Sequence, residues 1–147
     1  MDRGVAVLLT AFCGGLIALQ APINSRVGQT IGTFQGAALS FVIGTVALTA
    51  IAALSNGGLG TMAEARHLPW VYLTGGLLGA AYVTSVLVTV RTLGAGGVVA
   101  ATIAGQLTIS VVVDHLGLLG VERDPINAPK VLGLLLLAAG TFLVVRG

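Results

Sequence analysis

Polar residues interrupt this chain at wide intervals, and the stretches between them are almost wholly apolar. Spanning a hydrocarbon core takes about 20 predominantly apolar residues. Five stretches meet that length, at about 4–25, 33–54, 69–90, 95–113 and 128–145. Each is predicted as a transmembrane helix. Pro22 lies near the end of the first and predicts a kink there. The first stretch follows Arg3 as a signal peptide would, but four further stretches come after it, so a retained helix is expected. Ser55-Asn56-Gly57-Gly58 reads as a helix stop and loop. A polar stretch with Glu64, Arg66 and His67 follows. Pro69 suits the opening turn of the third helix, with Trp70 and Tyr72 as interfacial anchors. Gly94-Ala95-Gly96-Gly97 reads as a short turn that makes the third and fourth helices antiparallel neighbours. Glu122-Arg123-Asp124-Pro125 forms the most polar loop, and Lys130 is placed to snorkel from the start of the fifth helix. No alternation of period two is present, which argues against a barrel. The expected fold is an all-α membrane protein, a single five-helix domain over 1–147.

Composition agrees. Of 147 residues, 56% are hydrophobic and 8% charged, with a mean hydropathy of +1.03. A soluble domain carries about 25% charged residues, so these few cannot cover a water-soluble globule. The net charge is +2. No basic run or basic helix face accompanies it, and nucleic acid is not an expected partner. Cys13 is the single cysteine, so neither an intrachain disulfide nor a cysteine-based metal cluster is expected. His67 and His115 stand apart without a metal-binding frame. There is no P-loop and no G-x-S-x-G. No cofactor is expected, and an enzyme is not indicated.

The distribution of positive charge changes the picture. Five spans put Arg3, Arg66, Arg123 and Lys130 on one face of the membrane and Arg26, Arg91 and Arg146 on the other. Lys/Arg bias sets orientation, and a bias of one residue is small. The balance fits a fixed orientation with the four-charge face in the cytoplasm, and it fits insertion both ways round.

Polar residues inside spans mark bundle interiors and solute paths. In the first helix, Thr10, Cys13, Gln20 and Asn24 share a face, with Gln20 and Asn24 one turn apart around Pro22. In the fourth, Thr102, Gln106, Ser110 and Asp114 recur every four residues, and Gln106 falls near mid-span. In the third, Tyr82, Ser85 and Thr89 share a face. Gln20, Asn24, Tyr82, Gln106 and Ser110 are therefore candidates to bind a solute. The alternative for each is interhelical packing or hydrogen bonding. Asp114, Arg26 and Arg91 are candidate coupling or gating charges, with an interfacial role as the alternative for Asp114. No acid lies mid-membrane. Small residues predict close helix packing. Gly28, Gly32, Gly36, Ser40 and Gly44 recur every four residues, Gly75 and Gly79 form a GxxxG, and Gly133 and Gly140 lie seven apart.

Several segments together resemble one known family. They are Leu19-Gln20-Ala21-Pro22-Ile23-Asn24, Gly75-Gly76-Leu77-Leu78-Gly79, Gly105-Gln106-Leu107, Asp114-His115-Leu116-Gly117 and the stretch from Gly133 to Gly140. In order and spacing they resemble the five-helix branch of the drug/metabolite transporter superfamily, the YdcZ-like inner-membrane exporters, over essentially the whole chain. The resemblance implies a multi-pass protein of the bacterial inner membrane that is half of a ten-helix unit. It implies relatives that occur singly, as pairs of opposite orientation, or as fused doubles. It also implies that Gln20, Asn24 and Gln106 face a central cavity. The smaller four-helix multidrug exporters of the superfamily carry a glutamate in the first helix. This chain has Gln20 and Asn24 instead, so proton-coupled export of cationic drugs is not implied.

An odd number of spans means that two copies in opposite orientation form an inverted repeat, with solute held near the midplane between them. The expectation is a secondary-active exporter of a small polar or amphipathic metabolite. It would be an antiparallel homodimer in the lipid bilayer, with helices one to four lining the cavity and helix five at the edge. Two alternatives stand: a half-transporter needing a related partner of opposite orientation, and a passive channel or structural subunit.

Overall fold

The computed structural model describes residues 2–55 and 58–147. The predicted stop at Asn56-Gly57 lies outside the described residues. Nearly all the rest is helical, and no strand occurs among the described residues. This follows from the sequence: in lipid, backbone polar groups must be satisfied within the chain, and a helix does so locally.

Helix α1 spans Arg3–Ile31, α2 Thr33–Leu54, α3 Gly75–Leu116 and α4 Ala128–Arg146. With the turn before α3 included, all four are long and apolar enough to cross a membrane. In α3, Gly94 departs from helical geometry at φ 68°, ψ 171°. It divides α3 into two arms of about 30 Å each at 1.5 Å per residue, which gives five helical segments in all. Only Gly94 leaves the helix; Ala95, Gly96 and Gly97, expected in a turn, are helical. Short 3₁₀ segments fill Gly58–His67, Trp70–Thr74 and Leu118–Gly120.

Helix α1 begins at Asp2, whose carboxylate accepts the Gly4 N–H at 2.9 Å. It runs through Pro22 and past the expected end near Ser25 to Ile31. A proline in a helix removes one donor, and the polar side chains that follow find partners. The Thr30 hydroxyl donates to the Arg26 carbonyl at 3.2 Å. Arg26 is thereby a helical residue, not a loop residue.

The chain forms two compact units, Met1–Arg91 and Thr92–Gly147. In the first, α1 and α2 form a hairpin about Gly32. Its φ of 103° and ψ of 148° suit glycine, and a side chain there would strike the Gln35 amide. Gly28 and Gly36 meet across the hairpin so closely that a Cβ on Gly36 would lie 2.9 Å from the Gly28 Cα. The first arm of α3 lies against this pair. Leu87 is fully buried there, and the Ser25 hydroxyl donates to its carbonyl at 3.4 Å. Ala37, Val83 and Leu87 form the core, with Tyr82 packed against it. A Cβ at Gly79 would touch the Phe41 ring at 3.4 Å.

In the second unit, the second arm of α3 pairs with α4. The Thr141 hydroxyl donates to the Ala100 carbonyl at 3.1 Å, and a Cβ at Gly97 would lie 3.7 Å from Val145. Asn127 caps α4 by accepting the Lys130 N–H at 3.0 Å.

Candidate functional site

Three positions on α1 and three on α2 stand mirrored about Gly32, one turn apart on each helix. Gly28 faces Gly36. One turn further out, the Asn24 amide donates to the Ser40 hydroxyl at 3.1 Å, with Asn24 only 9% exposed. A further turn out, Gln20 and Gly44 line the same cavity, completed by Ser40, Phe41, Thr45, Leu48 and Val83. Its volume is about 220 Å³. The hairpin is thus closed at its turn by glycine contact, joined in the middle by an amide–hydroxyl bond, and open at Gln20. No charged side chain lines this space.

The expected solute-binding residues divide. Gln20 lines the cavity and Asn24 is bonded at its edge. Tyr82 is half-buried against the core and does not line the cavity. Gln106 and Ser110 belong to the second unit and are exposed. Ser40, Phe41, Thr45 and Leu48 were not singled out as solute contacts. Ser40 had been grouped with the glycines for its small size, and its register opposite Asn24 is the signal that its hydroxyl is used.

Of the charged candidates, Arg91 and Asp114 lie near the ends of helical segments, and Arg26 lies inside α1, more than one turn before its end at Ile31. Arg26 is exposed and donates to Gln29 Oε1 at 3.4 Å. Arg91 is exposed, its guanidinium 3.6 Å from where a Gly28 Cβ would stand. Asp114 is half-buried at the end of α3. Its carbonyl accepts from the N–H groups of Gly117 at 3.3 Å and Asp124 at 2.9 Å. The loop it anchors is held by further bonds. Arg123 Nε donates to the His115 carbonyl at 3.1 Å, and the Ile126 N–H donates to His115 Nδ1 at 3.2 Å. Lys130 pairs with Asp124 at 2.7 Å and donates to the Asp124 and Pro125 carbonyls. It ties the loop to α4 in place of the expected snorkelling. Asp114, Val121, Glu122, Arg123 and Asp124 line a second, polar recess of about 460 Å³.

The packing glycines divide as well. Gly28, Gly36 and Gly79 sit at helix contacts. At Gly44, Gly75, Gly133 and Gly140 a Cβ would meet nothing within 4 Å. No group of histidine, cysteine and carboxylate side chains able to hold a metal occurs among the described residues.

Long apolar helices define a multi-pass membrane protein, and between three of them lies an uncharged, largely apolar cavity with one amide and two hydroxyls in its wall. The match to a family model is more specific: over residues 5–143 the chain belongs to the family described as "Putative inner membrane exporter, YdcZ", within the drug/metabolite transporter superfamily. Membership points to transport in the inner membrane rather than to catalysis. No curated protein matches the chain significantly, and neither does any solved structure.

Proposed function

We propose that the chain is a secondary-active exporter of a small polar or amphipathic metabolite, working by alternating access as an antiparallel homodimer whose copies insert in opposite orientations. The observation that carries the reading is the cavity at Gln20. It is lined by amide and hydroxyl groups with apolar walls in a chain of an exporter family. Five helical segments, an odd number, turn two opposed copies into an inverted repeat. The near-even split of basic residues permits both insertions. In the first unit Gln20 meets the solute, Asn24 holds the cavity edge through Ser40, and Tyr82 supports the wall behind Val83. Gln106 and Ser110 offer polar groups along the second arm of α3 for the solute's path. Arg91 and Asp114, near the ends of helical segments, and Arg26, inside α1, serve as gates. The open glycine faces at Gly75, Gly133 and Gly140 admit close approach of a second copy.

Flux through reconstituted vesicles tests this, with a panel of uncharged polar metabolites. Saturable flux that falls about tenfold in Gln20→Ala and Gln106→Ala, with assembly unchanged, is the expected result. A flux that never saturates would indicate a channel, and no flux with any solute a structural subunit.

A further inference from the structure

The hydrogen-bonding state of the cavity wall narrows what it can hold. Ser40 Oγ accepts from Asn24, so the Ser40 proton is left to donate elsewhere. The hydroxyls of Thr10, Thr89 and Thr108 return to carbonyls one turn back in their own helices. Thr45 makes no such bond among the described residues. The Gln20 amide likewise has no partner among them. The cavity is an open groove, with Gln20, Thr45 and Leu48 exposed, and it presents two free hydroxyl donors and one free amide beside Phe41, Leu48 and Val83. No ionised group is available to pair with a charged solute, whose desolvation would go uncompensated.

We infer that each chain alone holds a complete site, between α1, α2 and the first arm of α3, for one uncharged solute with a compact apolar body and at least one hydrogen-bond acceptor. This deepens the exporter reading and rests on it for its place in a transport cycle. A bare hydrocarbon would leave all three polar groups unpaired. At about 220 Å³ the cavity is smaller than the ~300–1,000 Å³ common for drug-sized ligands, so the solute is a small one. Asn24 is a positioning residue: it fixes Ser40 and turns the Ser40 proton toward the cavity. Two opposed chains then carry two sites, not one shared at the interface.

The test uses three probes with one ring system and different charge: tryptophol (neutral alcohol), indole-3-acetate (anion) and tryptamine (cation). Each is titrated calorimetrically into the purified full-length protein. Tryptophol is expected to bind saturably at one per chain, and the two ions at least about tenfold more weakly. Ser40→Ala and Gln20→Ala should each weaken tryptophol binding by about three- to tenfold. Gly44→Leu should abolish it by filling the cavity. That variant should fold, because a Cβ at Gly44 meets no atom within 4 Å and leucine favours a helix interior over glycine. Its elution volume and circular dichroism check this. Any of four results would overturn the inference: an ion binding as tightly as tryptophol, one probe per two chains, undiminished binding in Gly44→Leu, or no saturable tryptophol binding by about 10 mM. Binding without flux would sink the exporter reading and leave this site standing. Flux of neutral solutes without binding here would do the reverse.

Discussion

The Asn24 amide donates to the Ser40 hydroxyl across the α1–α2 hairpin, 3.1 Å apart and one turn outside the Gly28–Gly36 contact. This bond stands between the packed end of the hairpin and its open end at Gln20, so it fixes both the helix register and the cavity edge. A double-mutant cycle of Asn24→Ala and Ser40→Ala, read by thermal unfolding in detergent, should give a coupling of about 0.6–1.7 kcal/mol. Additive effects would mean that the bond does not hold the hairpin.

Glycine substitutions should separate by position. Gly36→Ala places a methyl group 2.9 Å from the Gly28 backbone, where overpacking costs roughly 1–3 kcal/mol. Gly75→Ala meets no atom within 4 Å and should leave the monomer's unfolding temperature unchanged or raised, since alanine favours a helix over glycine. Equal losses in the two variants would contradict the packing described.

Leu87 has no exposed surface and touches both halves of the hairpin's glycine contact. Leu87→Ala should cost about 2–5 kcal/mol, measured against Leu77→Ala. Leu77 is 73% exposed on the same arm, and its truncation should cost far less.

The Lys130–Asp124 pair is exposed on its acidic side. Asp124→Asn should therefore change stability by no more than about 1 kcal/mol. The loop's order rests instead on hydrogen bonds to the Asp114 and His115 carbonyls and to the His115 ring. His115→Ala should speed amide exchange at Ile126 while leaving exchange within α4 unchanged.

Much of this was legible in the sequence, because membrane helices need only length and apolarity. The five segments, the break at Gly94 and the polar Gln20–Asn24 face could all be read from residue type. The same holds for the four-residue spacing from Gly28 to Gly44. What spacing along one helix does not show is which stripe faces which. The turn of the hairpin had to be known before Asn24 could be matched with Ser40. It is set by a single glycine, Gly32, whereas apolarity alone ends the first span near Ser25 and leaves 26–32 between spans. The bonds that hold 117–127 were hidden for another reason. Several join a side chain to a backbone group, and residue identity does not say which carbonyl a lysine or arginine will reach. Tyr82 offers both a ring and a hydroxyl by residue type, and the structure adds that it packs against the Ala37, Val83 and Leu87 core.

Orientation is the claim on which the transport account turns. A topology reporter fused after Gly147 and active on either side of the membrane reads it directly. The account predicts cytoplasmic and external signal together. It also predicts a shift toward one side when Glu122→Lys adds a charge to the face that holds Arg3, Arg66, Arg123 and Lys130. Signal from one side only in the unaltered chain would contradict the antiparallel homodimer.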